Sequence, residues 1–194
     1  MISLNLPTRT SCLMLALSLA TLPALASDNP GAHQHGHADL QIAVDNNRID
    51  LLLLSPAYNL IGFEHKPQTE EQRQRVQAVE HWAAKTPLIN TQASDCTMTS
   101  AAMHVSWGDN DDHDHGHHHH SHDHGGDHAQ KSTHADVEIT QSLNCPDLSG
   151  TTRLEASLMT RFPELEHLNV QWVGPQGQGA IRLSQGDRHF RMSR

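Results

Sequence analysis

A tract rich in histidine and aspartate occupies the middle of this 194-residue chain and limits what the chain can fold into. Ten of the eighteen histidines lie between Asp109 and His134. The tract contains no apolar residue before Ala129, so it has nothing with which to build a hydrophobic core. We therefore expect residues 109–133 to be a disordered loop set between folded segments.

The same tract carries the densest set of candidate metal ligands. Imidazole is the commonest metal-binding side chain, and in an extended chain alternate side chains point the same way, about 6.5–7 Å apart. With three or four ligands per ion, the tract could hold about two to three ions. The alternatives to a metal-binding tract are a purification tag and a plain polar linker. A tag is usually terminal, however, and a linker seldom concentrates histidine. The candidate ligands are His113, His115, His117, His118, His119, His120, His122, His124 and His128, with Asp114 and Asp123 as further oxygen ligands.

Three further groups of candidate ligands lie outside the tract. His33, His35 and His37 repeat the same alternating spacing near the N-terminus, where a solvated arm is the alternative. Glu64 and His65 follow a segment whose Gly62 suggests a special backbone angle, although a loop histidine beside a glutamate is often a structural pair. His134 directly follows the tract.

The first residues have the pattern of a secretory signal peptide. Arg9 supplies a positive region, Cys12 to Leu25 is apolar and uncharged, and Ala24-Leu25-Ala26 is a small-residue cleavage site. The apolar run is shorter than the roughly 20 residues needed to span a bilayer. We expect residues 1–26 to be removed and the mature chain to be exported, without stable insertion into a membrane.

Two cysteines, Cys96 and Cys145, remain after removal of the signal peptide. In an oxidising compartment such a pair usually forms a disulfide, and this one would bracket the histidine tract. A zinc site built from cysteine and histidine is the competing interpretation, although neither cysteine sits in a Cys-x-x-Cys pair. Loss of Arg9 takes the net charge from −9 to −10, which argues against nucleic-acid partners and suits cations.

The first half of the chain predicts a hairpin followed by a helix. Residues 37–44 and 48–54 read as two strands joined by a turn at Asp45-Asn46-Asn47. Thr69 and Gln72 match a capping box, so a helix should run from there to about Lys85, before Pro87. Residues 96–107 then read as a strand that leads into the tract.

The second half partly repeats the first. His134-Ala-Asp-Val-Glu-Ile139 matches His37-Ala-Asp-Leu-Gln-Ile42, and residues 153–158 align loosely with 48–53. A short strand is predicted at 168–173, followed by a Gly/Pro turn that runs through Gly179 and by two more short strands at 180–184 and 188–192. We therefore predict an α+β fold with antiparallel, hairpin-rich sheets. One domain would be built from two loosely repeated halves, 27–108 and 134–194, with one main helix.

Several motifs together resemble one family. They are the signal peptide, His-Gly-His-Ala-Asp opening the first strand, the segment Ser55-Pro-Ala-Tyr-Asn-Leu-Ile-Gly-Phe-Glu-His65, paired cysteines around a His/Asp tract, and Gly177-Gln-Gly179-Ala. In these the chain resembles the ZrgA-like zinc-regulated periplasmic proteins over nearly all of its mature length. The segment that ends in Gly62-Phe-Glu-His65 is the most specific part of this likeness.

The resemblance implies a Gram-negative periplasmic protein that binds Zn²⁺ and assists high-affinity zinc import. Its partners would be zinc and a zinc ABC importer or that importer's binding protein. The alternatives are a protein that handles nickel, copper or cobalt, since imidazole sites do not reject copper on affinity, and a module that dimerises through zinc. The chain carries neither His-Glu-x-x-His nor Gly-x-Ser-x-Gly, so we expect no enzyme.

The histidine content predicts a steep pH dependence of zinc binding by the tract. An unperturbed imidazole titrates at about pH 6.5, and a proton on the ligating nitrogen excludes the metal. Tract-bound zinc should therefore be released as the pH falls through about 6.5, while carboxylate sites would hold zinc until nearer pH 4. Titration with a fluorescent zinc chelator between about pH 7.5 and 4.5 measures this. Retention of nearly all bound zinc at about pH 5 would exclude histidine as the principal ligand.

Overall fold

A computed structural model describes residues 34–91, 96–107, 134–146, 148, 153–175 and 177–192. Nine strands and three helices lie within these ranges. In chain order they are β1 (His37–Asp45), β2 (Arg48–Pro56), α1 (Ala57–Ile61), α2 (Glu70–Ala83), β3 (Ile89–Thr91), β4 (Thr97–Ser106), β5 (Asp136–Asn144), β6 (Arg153–Ala156), α3 (Leu158–Arg161), β7 (His167–Gly174), β8 (Gly177–Ser184) and β9 (His189–Arg191).

The strands form two sheets. The larger sheet has six strands in the order β4-β5-β2-β1-β7-β8, and the smaller one has three in the order β3-β6-β9. Within the larger sheet β1 and β7 are parallel, whereas the other neighbours are antiparallel. Strands that are adjacent in space therefore come from both sides of the histidine tract.

The β1–β2 hairpin agrees with the sequence pattern. Asn46 adopts a left-handed backbone (φ 53°) in the turn, a conformation that asparagine tolerates better than most residues. Alternate residues of both strands are buried, as expected for a sheet with one covered face. Leu40, Ile49 and Leu53 are fully buried and lie in the main core.

The capping box at the start of α2 is also confirmed. The Thr69 side chain accepts a hydrogen bond from the Gln72 backbone N–H, and the Gln72 side chain accepts one from the Thr69 backbone N–H. The helix ends at Ala83, two residues before the predicted end. Val79 and Ala83 are its buried residues, because one stripe of the helix faces the sheet.

A buried glutamine attaches the end of this helix to the large sheet. The Gln141 side chain on β5 is buried, and its Oε1 accepts a hydrogen bond from the Leu88 backbone N–H at 2.8 Å. Its Nε2 donates to the carbonyl oxygens of Ala83 at 2.7 Å and Thr86 at 2.9 Å. One side chain thus pairs three main-chain groups in the connection between α2 and β3.

The predicted disulfide is present between Cys96 and Cys145. These residues lie beside the start of β4 and the end of β5, while the other ends of the two strands pair as far as Ser106 and Asp136. The histidine tract therefore connects two adjacent antiparallel strands, and the disulfide lies at the opposite end of that pair from the tract.

The predicted α+β class is wrong. Strands account for 51% of the described residues and helices for 19%, so the fold is predominantly β. The difference arises because β3, β6 and β9 form a second sheet, and because two of the three helices are a single short turn or little more. The segment Gly177–Gly179, predicted as a turn, is the start of β8.

The prediction of two hairpin-led halves is wrong as well. β5 does not pair with the strand that follows it, because β2 and β4 already occupy both of its edges. Strand β6 instead joins the smaller sheet between β3 and β9. The signal peptide (1–26) and the predicted disordered loop (109–133) lie outside the described residues.

The three hydrogen bonds of Gln141 predict a large stability effect from one substitution. Gln141→Leu keeps the size but removes the partners of three main-chain groups, and an unpaired buried polar group costs about 1–3 kcal/mol. We expect the free energy of unfolding to fall by about 2–4 kcal/mol, as measured by urea denaturation. Thr140→Val, at the exposed neighbouring position, is the control. Equal stability of the two variants would contradict this role.

Candidate metal centre

Three side chains of ligand type converge at one end of the six-stranded sheet. They are His35, just before β1, Glu64, after α1, and His134, just before β5. One ligand atom from each lies within 4.8 Å of the other two. Glu64 is mostly buried, with 16% of its side chain exposed, whereas 52% of each histidine side chain is exposed.

The Glu64 carboxylate connects the two imidazoles. The His35 Nε2–H donates to Oε1 at 2.8 Å, and the His134 Nδ1–H donates to Oε2 at 2.7 Å. An ionised carboxylate can only accept hydrogen bonds, so it is the imidazole nitrogens that donate. The same two nitrogens, once deprotonated, are of the type that binds a metal ion.

A buried asparagine holds the arm that carries His35. The Asn59 Oδ1 accepts a hydrogen bond from the Gly36 N–H at 2.8 Å, and its Nδ2 donates to the His37 carbonyl at 2.8 Å and to Ser55 Oγ at 3.1 Å. Gly36 has φ of 80°, a left-handed angle that glycine adopts without strain. The chain therefore turns at Gly36, so that the backbone at His35 does not continue in the direction of β1.

A helix end and an aromatic anchor direct Glu64. Helix α1 ends at Ile61 and is capped by Gly62, which has φ of 85° and whose N–H donates to the Tyr58 carbonyl. The next residue, Phe63, is buried and its ring stacks with Trp107 at 6.1 Å between centroids. The position of Glu64 is therefore fixed by the capped end of α1 and by the packing of Phe63, the residue directly before it.

The start of β5 brings in the third side chain. Ala135 is fully buried, and its carbonyl accepts a hydrogen bond from the Ala57 N–H at 2.8 Å. This bond attaches the first residue of α1 to the beginning of β5. His134 therefore lies beside the helix that leads to Glu64, although 70 positions separate the two in sequence.

The three donors suit zinc. Two imidazoles and one carboxylate form a known zinc ligand set in which a fourth position stays open to water or to another ligand. Tetrahedral ligands at about 2.0–2.1 Å from zinc lie about 3.3 Å apart. The two histidine–glutamate contacts, at 2.7 and 2.8 Å, are shorter than this by about half an ångström, and all three ligand atoms lie within 4.8 Å of one another. Residues of the correct chemistry therefore stand close to coordinating positions.

His37 lies apart from this centre, although it is only two residues from His35. Its ring packs against that of His167 at 4.8 Å, and its Nδ1 accepts a hydrogen bond from Arg182 Nη2 at 2.7 Å. Burial lowers the pKa of His37 below its usual value, and the charges of Arg182 and His167 lower it further. The imidazole is thus neutral near pH 7, but its lone-pair nitrogen is already occupied.

His65 also stays outside the group of three. Its Nδ1–H donates to the Lys66 carbonyl at 3.0 Å, and its ring lies 5.2 Å from that of Phe63. A backbone carbonyl often orients a metal-ligating imidazole in this way and leaves Nε2 free. Within the described ranges, however, the one group of three or more ligand-type side chains is His35, Glu64 and His134.

The remaining predicted ligands cannot be located. His33 and the tract residues from His113 to His128 lie outside the described part of the chain. The sequence, on the other hand, did not predict the role of Asn59 in holding the arm that carries His35. A buried asparagine in a helix of five residues has no periodic signal, so only its hydrogen bonds reveal what it does.

The fold and the three converging side chains define a predominantly β protein with a candidate metal site at one end of its main sheet. A family model described as "ZrgA family zinc uptake protein" matches residues 32–192. The chain therefore belongs to the ZrgA family of zinc uptake proteins. A comparison with curated proteins finds none that matches this chain.

The hydrogen bonds of Asn59 predict that its loss weakens both the fold and the centre. Asn59→Ala leaves the Gly36 N–H and the His37 carbonyl without their side-chain partner, at a cost of about 1–3 kcal/mol in the free energy of unfolding. We also expect weaker zinc binding, because the arm that carries His35 loses its anchor. Urea denaturation and zinc titration measure the two effects. Asn144→Ala, an exposed asparagine on β5, is the control; identical behaviour of both variants would refute the role.

Proposed function

We propose that this protein captures Zn²⁺ as cargo and passes it on during zinc uptake, with one ion held by His35, Glu64 and His134. The observation that carries the proposal is the convergence of these three side chains, which come from three separate segments of a ZrgA family chain. Their chemistry matches zinc, and nothing in the proposal requires catalytic turnover.

The exposure of the centre favours exchange over permanent storage. Structural zinc sites are closed by four protein ligands, whereas this centre offers three from the described residues. Half of each imidazole faces solvent, so an incoming ligand can reach the metal directly. Such a site suits a protein that accepts zinc and releases it again.

The histidine tract would add capacity next to this centre. β4 and β5 pair as far as Ser106 and Asp136, so the described residues at the two ends of the tract, Trp107 and His134, lie at the same end of the sheet as the centre. We propose that tract histidines hold further zinc ions, which can reach the three-ligand site over a short distance. The net charge of −9 also attracts cations.

The periplasm is the compartment that we propose for this role. The disulfide between Cys96 and Cys145 favours an oxidising environment. No helix among the described residues is long and apolar enough to cross a membrane. With the signal-peptide pattern of residues 1–26, these features support an exported protein that delivers zinc to an importer or to the importer's binding protein.

A comparison of two variants tests the proposal. In native mass spectrometry with competing copper and nickel, the triple variant His35→Ala/Glu64→Gln/His134→Ala should lose one zinc ion. Deletion of residues 109–128 should remove most of the zinc capacity, retain that one ion, and leave the circular dichroism spectrum intact.

The matched control for the triple variant is Glu155→Gln/His189→Ala. It removes an exposed histidine–glutamate pair, 3.8 Å apart, from the smaller sheet, and should bind as much zinc as the unaltered protein. An unchanged zinc count in the triple variant would overturn the centre. Preference for nickel over zinc at equal availability would overturn the choice of metal, whereas copper binding does not decide it, because imidazole sites do not reject copper on affinity.

A further inference from the structure

Tyr58 is the one tyrosine of the chain, and it lies beside the proposed zinc centre. The residue is 37% exposed, which makes it one of the few large hydrophobic residues that the fold leaves open to solvent among the described residues. Its ring stacks on the His35 imidazole, with 4.6 Å between centroids and 21° between planes. This contact explains why an aromatic residue occupies an open position.

The backbone of Tyr58 is anchored by buried neighbours, whereas the His35 ring is half exposed and contacts the Tyr58 ring and the Glu64 carboxylate. Ala57 and Asn59 on either side are buried, and the Tyr58 carbonyl accepts the hydrogen bond that ends α1. His35 lies on a turn before β1 with 52% of its side chain exposed. The stacked ring therefore presents a fixed surface to a side chain that would otherwise sample several rotamers.

We propose that Tyr58 is a positioning residue for zinc: its ring holds the His35 imidazole so that Nε2 faces Glu64 and the ion between them. This inference rests on the proposed function of the centre. Fixing a ligand before binding raises affinity, because the entropy of ordering the side chain is no longer lost when the metal arrives.

The stacked geometry is compatible with a bound metal. The lone pair of an imidazole nitrogen lies in the plane of the ring, and Tyr58 covers the face of the ring instead of its edge. A nearly parallel contact thus leaves Nε2 accessible to zinc. Since the stack depends on the aromatic ring, the tyrosine hydroxyl is not needed for it.

Two substitutions in the full chain test the proposal. Tyr58→Phe keeps the ring, and Tyr58→Leu removes it while keeping an apolar side chain. Zinc is titrated against a competing chelator while NMR follows the backbone amide signals of Gly36 and Glu64. These two signals report zinc bound at the centre separately from zinc bound by the tract. We expect Tyr58→Phe to stay within about twofold of the unaltered affinity and Tyr58→Leu to bind roughly threefold to tenfold more weakly, as expected for one aromatic pair.

Three further measurements separate positioning from a general structural effect. The thermal unfolding of the metal-free protein should be the same in both variants, as it should for Val173→Leu, an exposed position at the far end of β7. Tyr58→Leu should have no additional effect on zinc affinity once His35 is replaced by alanine. With ring-labelled tyrosine, the single aromatic spin system should shift on zinc addition.

The result that overturns the proposal is unaltered zinc affinity in Tyr58→Leu, or an equal loss in Tyr58→Phe, which would implicate the hydroxyl. If the Gly36 and Glu64 amides of the unaltered protein do not respond to zinc, the centre itself is wrong and the role of Tyr58 falls with it. The two failures can be told apart, because the role of Tyr58 is tested only when the Gly36 and Glu64 amides of the unaltered protein respond to zinc.

Discussion

The antiparallel pairing of β2 with β5 is the constraint on which the rest of the structure depends. It runs from Arg48 opposite Asn144 to Pro56 opposite Asp136, and it joins the parts of the chain on either side of the histidine tract. Burial of Leu53 and Ile139 on the covered face of these two strands stabilises the pairing. Because the end of β2 and the start of β5 are thereby adjacent, the segments that carry Glu64 and His134 emerge side by side.

The centre then depends on a few polar bonds at that end of the sheet. Asn59 attaches the arm with His35 to α1, and the left-handed Gly62 turns the chain so that Glu64 points back towards the two imidazoles. The backbone is thus held firmly, while the histidine side chains stay half exposed. A firmly held backbone with half-exposed ligand-type side chains suits the capture and release of zinc that we propose.

Local patterns predicted the local structure well. The alternation in residues 37–54 gave the first hairpin, and the Thr69–Gln72 capping box marked the start of α2 within one residue, because both signals act between near neighbours. The likeness between residues 134–139 and 37–42 correctly indicated two strands. It wrongly suggested that the second of them pairs with the strand that follows it. Both segments begin strands that pair with β2. Strand β6 nevertheless lies in the smaller sheet, because β2 and β4 already occupy both edges of β5.

The sequence by itself determined the kind of chemistry: a dense supply of imidazole and carboxylate groups, two cysteines for one disulfide, and a chain whose apolar residues alternate as in strands. It named His35, Glu64 and His134 among seventeen candidate ligands without indicating that these three meet. Only the tertiary structure decided that, and also that His37 pairs with Arg182 instead of facing the centre. The physical reason is that side-chain type is a local property, whereas the few ångströms between ligands result from strand pairings and hydrogen bonds between residues far apart in the chain.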